Sequence, residues 1–236
     1  MTKMGFWQPD PVRVLAGQAS EVELKLVVPE HRGRSLGLDP DRKPDRRVYF
    51  LDTPDLDLYR NGVIIRFRDR RNQRDDAVIK LRPVEPRRVP GWLRTADRFQ
   101  VEIDALPDHA VCSGTLKRRL GRNDISRTLA AGRPLTGLLS ARQHKLLTRY
   151  APTTDGLIVY GPIDVRCHSI KLRGLSRDLT AERWRYPDGS DLLELSTRCP
   201  IGKATTVAAR MSAALRAYGV TPADQQRTKT ELALLQ

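Results

Sequence analysis

The chain has 236 residues, 39% of them hydrophobic and 30% charged, and its 42 Lys and Arg exceed its 28 Asp and Glu to give a net charge of +14. That length can bury a core and that hydrophobic content argues against disorder, while no apolar run approaches the roughly 20 residues of a membrane span. The surplus of bases calls for a polyanionic partner, and 6% aromatic content gives nucleic-acid binding by base stacking little support.

The first element, "SEVELKLVV" at 20–28, alternates with a period of two. Val22, Leu24 and Leu26 share one face, and Glu21, Glu23 and Lys25 share the other. Residues 29–46, rich in Arg, Pro and Asp, read as a loop with at most one helical turn. Further strands follow at 47–52, 62–69, 76–83 and 97–104, set apart by breakers such as "TPD" at 53–55 and "RRNQRDD" at 70–76. Residues 114–149 read as a helical insertion, with Ser140 placed to cap its last helix. Strands resume at 157–166, 168–174, 179–186 and 191–198, the last two joined by "YPDGSD", an Asp-Gly hairpin signal. An amphipathic helix at 203–218, with Val207, Met211, Leu215 and Tyr218 on one stripe, ends at Gly219, and a short helix closes the chain. With no low-complexity linker, the reading is one domain over 1–236: a core at 18–200, a helical insertion at about 107–149 and C-terminal helices at about 203–236.

The three cysteines, Cys112, Cys167 and Cys199, lie far apart with no CxxC spacing. They suit neither a disulfide framework nor a zinc site, and with no signal-peptide core near the N-terminus they point to the cytoplasm. His31, His109 and His144 have no partner at metal spacing, alternation leaves His168 beside Arg166 free to face either way, and no Gly-rich phosphate loop or Ser/His/Asp set appears.

The opening pattern recurs along the chain. Arg66 with Arg68, Lys80 with Arg82, Glu102 with Asp104, Asp164 with Arg166, and Lys171 with Arg173 each share a face, and Glu182 and Glu194 stand on late strands. One such face is ordinary solvent exposure, but like charges at i and i+2 repel and are poor choices for solubility alone. They make sense if the sheet curls shut and these faces line a cavity. About eight antiparallel strands enclose a usable interior, with the apolar face covered by the helices. Arg and Lys are suited to phosphate. Carboxylates beside them imply a hard divalent cation such as Mg²⁺ or Mn²⁺.

These residues resemble the CYTH domain, or triphosphate tunnel metalloenzymes. Glu21, Glu23 and Lys25 match the family's Glu-x-Glu-x-Lys strand, "YFLDTPDLDLYRNGVIIRFRDR" at 49–70 its Asp-Thr to Arg-x-Arg segment, and "AVIKLR" the next basic strand, while Lys229 resembles its final lysine. The resemblance implies an α+β fold, an eight-stranded antiparallel β-barrel with helices outside, binding a triphosphate or polyphosphate with Mg²⁺ or Mn²⁺. It implies that Glu21, Glu23, Glu102, Asp104, Glu182 and Glu194 hold metal, with Glu21, Glu23 and Lys25 catalytic. Phosphate would be gripped by Lys25, Arg66, Arg68, Lys80, Arg82 and Lys229, to which strand alternation, rather than the resemblance, adds Arg166, Lys171 and Arg173. One departure is Ser196, where the family's last strand usually has a second Glu. Three readings follow: hydrolysis of a triphosphate, inorganic triphosphate foremost; adenylyl cyclisation of ATP; or polyanion binding without catalysis.

Overall fold

In the computed structural model, residues 5–8, 17 and 19–235 are described. Nine strands run as β1 (Glu21–Val28), β2 (Arg46–Asp52), β3 (Val63–Arg70), β4 (Asp76–Leu81), β5 (Phe99–Ala105), β6 (Ala110–Arg119), β7 (Ile158–Ile170), β8 (Leu179–Arg185) and β9 (Asp191–Pro200). They close into a barrel in the order β1-β5-β6-β4-β3-β2-β7-β8-β9. Between them lie the helices α1 (Asp57–Arg60), α2 (Gly91–Arg94), α3 (Asp124–Ala130) and α4 (Ala141–Tyr150), and after them α5 (Ala204–Ala217) and α6 (Lys229–Leu234). No described helix is long and apolar enough to cross a membrane.

The barrel therefore has nine strands rather than the expected eight, and it is mixed rather than wholly antiparallel. Two expected strands at 157–166 and 168–174 are one continuous strand, β7, and the start of the expected helical insertion is strand β6. The barrel is sealed by β1, which pairs antiparallel with β9 from Glu21↔Pro200 to Val28↔Leu193 and parallel with β5 over Val22↔Ile103 to Leu24↔Ala105.

Two apolar clusters cover the outside. Val22, Leu24 and Leu26 of β1 pack under Ala208, Met211 and Leu215 of α5, while Ile65, Phe67 and Ile79 pack under Ile125 of α3 and Leu146 and Leu147 of α4. Each fully buried side chain of this size contributes about 1.5–3 kcal/mol of transfer free energy. The expected cap of α4 is present: Ser140 Oγ accepts from the Gln143 N–H at 3.2 Å, and Gln143 Oε1 accepts from the Ser140 N–H at 3.0 Å. The Gln143 amide also donates to the Ala77 and Leu116 carbonyls at 3.1 and 3.2 Å, tying the helix to β4 and β6.

A third cluster lies inside. Val27, Val48, Phe50, Ile64, Ile163, Val165, Trp184 and Leu192 pack against Ala233 and Leu234 of α6. The last helix therefore does not join α3–α5 on the outer face, as expected, but fills one end of the barrel. Its entry follows from an opening in the sheet. The pairing of β1 with β5 stops at Leu24, and beyond it the Val27 N–H donates to Gln226 Oε1 at 2.9 Å. The Val27 carbonyl accepts from the Gln226 amide and the Ala223 N–H, each at 2.9 Å. The tail thus satisfies backbone groups that a longer β5 would have paired.

Candidate active site

The inner positions of the strands are fixed by register. Glu23 faces Arg198 across β1 and β9, Glu182 faces Glu194 across β8 and β9, and Lys80 faces Thr115 across β4 and β6. At the end where β1 begins and β9 finishes, these positions enclose a cavity of about 160 Å³ floored by Thr228, Lys229 and Thr230. Its charged lining comprises eight bases, Lys25, Arg46, Arg66, Arg68, Lys80, Arg82, Arg198 and Lys229, against four acids, Glu23, Glu102, Glu182 and Glu194. Even counting Asp76 and Asp104 behind the wall, cations are in excess, so the cavity favours an anion of several charges.

Most of these groups are already paired. Asp104, fully buried, takes Lys25 Nζ at 2.6 Å, Lys80 Nζ at 2.6 Å, the Ser113 hydroxyl at 2.8 Å and the Arg82 guanidinium. Burial alone would raise its pKa, but those cations hold it well below the usual carboxylate range. Burial opposes ionisation of Glu23 too, yet Lys25, Arg198 and Lys229 lower it to about 2. On the opposite wall Lys229 Nζ donates to Glu182 at 2.7 Å and Glu194 at 2.6 Å, and Arg46 also pairs with Glu182. Arg68 Nε donates to the buried Asp76 at 2.7 Å.

Arg66 differs. Among the described residues its guanidinium has no ion pair or hydrogen bond, and its Nε is buried without a partner. Burial first, then neighbouring Arg68, pulls its pKa down to about 10. Asp76 and Glu182 act on it only from a distance, and a desolvated cation without a direct partner is unfavourable in the fold and suited to an incoming anion.

Glu23, Glu102 and Asp104 each offer a carboxylate oxygen, the three lying within 4.8 Å of one another. An all-oxygen, anionic donor set suits Mg²⁺ or Mn²⁺. Asp104 Oδ1 is buried and has Lys25 Nζ, 2.6 Å away, as its partner. The residues fit such an ion.

Of the residues singled out from sequence, Glu23, Lys25, Arg66, Arg68, Lys80, Arg82, Glu102, Glu182, Glu194 and Lys229 line this cavity, with Asp104 directly behind. Glu21 shares the inner parity of β1 but is exposed at its start and does not line the cavity. Arg166, Lys171 and Arg173 lie elsewhere. On β7 the inward residues are Val165 and Cys167, which pair with Trp184 and Glu182, so Arg166 points outward beside Arg183, and Lys171 and Arg173 are exposed beyond the strand end. Ser196 faces Lys25 across the strands, is buried and does not line the cavity, whereas Arg198, two residues on, does. Arg46 and Arg198 escaped notice in the sequence. Arg198 is signalled by the alternation Glu194, Ser196, Arg198, but Arg46 is masked by inner neighbours Val48 and Phe50, which are apolar.

The "DT" of the 49–70 segment has a structural role. Asp52 accepts from the Thr53, Leu58 and Tyr59 N–H groups at 2.8–2.9 Å, and Thr53 Oγ1 donates to Asp57 at 2.8 Å, so the pair builds the turn that aims β3 into the barrel.

No protein-family profile matches the chain, and no curated protein matches its sequence. Solved structures do. A candidate adenylyl cyclase from Hippeastrum, reported to have a dominant triphosphatase activity, matches with a TM-score of 0.63 at 15% identity, over 90% of this chain and 94% of that one. A candidate adenylate cyclase from Bacillus halodurans matches with a TM-score of 0.59 at 13% identity, over 90% of this chain and 97% of that one. At such identities what is shared is the fold: this chain has the closed-barrel architecture of those two proteins.

Proposed function

We propose that the chain is a triphosphate tunnel metalloenzyme of the CYTH type, hydrolysing a triphosphate with Mg²⁺ or Mn²⁺. The observation that carries this reading is Arg66, a cation with no direct partner among the described residues, held inside the barrel beside paired bases and in one cavity with carboxylates of a three-acid cluster. Arg66, Arg68, Lys80 and Arg82 bind the phosphate chain, and Arg46 and Lys229 fix the orientation of Glu182 and Glu194. Glu23, Glu102 and Asp104 hold the cation. Bound there, it supplies charge neutralisation at the reacting phosphate and a lowered pKa for the attacking water. The likeness to a Hippeastrum protein with triphosphatase activity agrees with hydrolysis. Inorganic triphosphate is the favoured substrate, because the cavity lining offers no cluster that would read a nucleobase.

Incubation with tripolyphosphate and with ATP under Mg²⁺ and Mn²⁺ tests the proposal. Orthophosphate release supports it; cyclic AMP with pyrophosphate would make the protein a cyclase instead. Tight binding without turnover would favour a polyanion-binding protein, a reading that Ser196 in place of a second acid supports. Within the hydrolase reading, Glu23→Gln should lower kcat by roughly 10²–10³-fold, the scale of losing one transition-state contact, with triphosphate affinity nearly retained. Glu21→Gln, altering an exposed carboxylate at the start of β1, should have a smaller effect, and steady-state kinetics on the two variants checks the order.

A further inference from the structure

The three-carboxylate cluster already has a cation against it. Nη2 of Arg198 lies 3.0 Å from Glu102 Oε2 and 3.4 Å from Glu23 Oε2, so one nitrogen bridges carboxylates from β5 and β1. Lys25 and Lys80 also reach these acids, Lys25 Nζ at 3.2 Å from Glu23 and Lys80 Nζ at 3.6 Å from Glu102, but both are deeply set and, with Arg82, anchored on the buried Asp104. Arg198 is different: its side chain is 52% exposed, it makes no contact with Asp104 within ion-pair range, and it approaches from the barrel end rather than from below. A divalent cation needs oxygens at about 2.0–2.1 Å for Mg²⁺ and cannot share two carboxylates with a guanidinium at this range without strong repulsion.

We infer that Arg198 is a displaceable internal counter-ion that competes with the divalent cation for Glu23 and Glu102. This rests on the metal-dependent reading above and adds a control to it. Metal entry requires the guanidinium to leave. An exposed arginine released at the cavity mouth finds its next partner in the phosphates of an incoming polyanion. The protein therefore takes metal and triphosphate together, and holds metal alone weakly. The position also explains why an arginine can stand two residues after Ser196 on an inner face that carries Glu194: its charge is spent on the acids until metal replaces it.

The test is Mn²⁺ binding in the absence of any phosphate, read by the loss of the free-ion electron paramagnetic resonance signal, on the wild type, Arg198→Gln, Arg198→Lys and Arg198→Gln/Glu102→Gln, with thermal unfolding as a check on folding. The expected result is that Arg198→Gln binds Mn²⁺ about tenfold more tightly than the wild type, the scale on which neighbouring groups tune metal sites. Arg198→Lys should stay close to the wild type, and Glu102→Gln should remove the gain. Equal or weaker binding by Arg198→Gln, or a gain that survives Glu102→Gln, overturns the inference. If the wild type nevertheless hydrolyses tripolyphosphate with Mn²⁺, that failure leaves the hydrolase reading standing. A gain in Mn²⁺ affinity without hydrolysis in any variant supports the competition and removes the hydrolase reading. No Mn²⁺ binding and no hydrolysis in any of the proteins removes both.

Discussion

Arg66→Met should raise the half-saturating concentration of tripolyphosphate by roughly 10- to 100-fold, as expected for one charge-assisted contact of about 1.5–3 kcal/mol. The same substitution should leave the unfolding midpoint unchanged or raise it. Both signs follow from one fact, that the guanidinium is buried with no direct ion pair or hydrogen bond among the described residues, Asp76 and Glu182 acting on it only from a distance. Burial and Arg68 lower its pKa to about 10, which means the folded protein disfavours its charged form. A thioether of similar length removes that penalty and keeps the packing. Arg68→Met is the informative contrast, since it takes from the buried Asp76 its nearest partner, leaving Lys117 at 3.5 Å and Arg70 at 3.9 Å, and should destabilise the protein while also weakening binding. Isothermal titration with tripolyphosphate and thermal melts with and without it read both quantities. Equal affinity in Arg66→Met and wild type would remove Arg66 from the anion site.

Asp104→Asn should lower stability by about 3–5 kcal/mol, the scale of breaking a buried ion pair from one side. Asp104 is fully buried, and its neutral replacement would leave Lys25, Lys80 and Arg82 converging on one point with no full charge between them. Lys80 is already under strain in this sense: burial, Lys25 and Arg82 outweigh Asp104 and push its pKa down to about 8. The pH dependence has a definite sign. Asp104 is an acid whose folded pKa lies well below the ordinary value, so its contribution is fully present above about pH 4 and is lost only as pH falls toward the folded value. Wild type and variant should therefore differ most near neutrality and converge in strong acid. Because the variant cavity carries one more net positive charge, added tripolyphosphate should restore more stability to it than it adds to the wild type. Urea unfolding at neutral pH and in acid, with and without tripolyphosphate, measures all three. A variant within 1 kcal/mol of wild type at pH 7 would mean that the cluster is not the electrostatic centre proposed for it.

How far the sequence foretells this arrangement depends on what each strand shows the interior. Where the inner face is charged, alternation reads it directly: Glu23 and Lys25, Arg66 and Arg68, Lys80 and Arg82, Glu182 and Glu194 all line the cavity. Where the inner face is apolar the same rule inverts. On β7 the inward Ile163 and Val165 belong to the internal cluster, so the charged residue beside them, Arg166, faces out. On β2 the inward Val48 and Phe50 hide Arg46. β6 is missed for another reason. In "AVCSGTLKRR" the outward positions are Cys112, Gly114 and Leu116, too little apolar character for a strand signal, while Leu116 and Leu120 at helical spacing suggest a helix. Gly114 is small because the Phe99 ring crosses it; an added Cβ would lie 2.9 Å from that ring. The position of α6 inside the barrel is set by long-range hydrogen bonds from Gln226 and Ala223 to Val27, which no local pattern records.

That last helix makes the enclosure a cul-de-sac. On the hydrolase reading proposed above, a triphosphate would enter, and its products leave, at the end away from that helix, past the arginines that line the cavity. On that reading a longer polyphosphate would be presented by its terminus rather than threaded through, and its added length would contribute little to recognition.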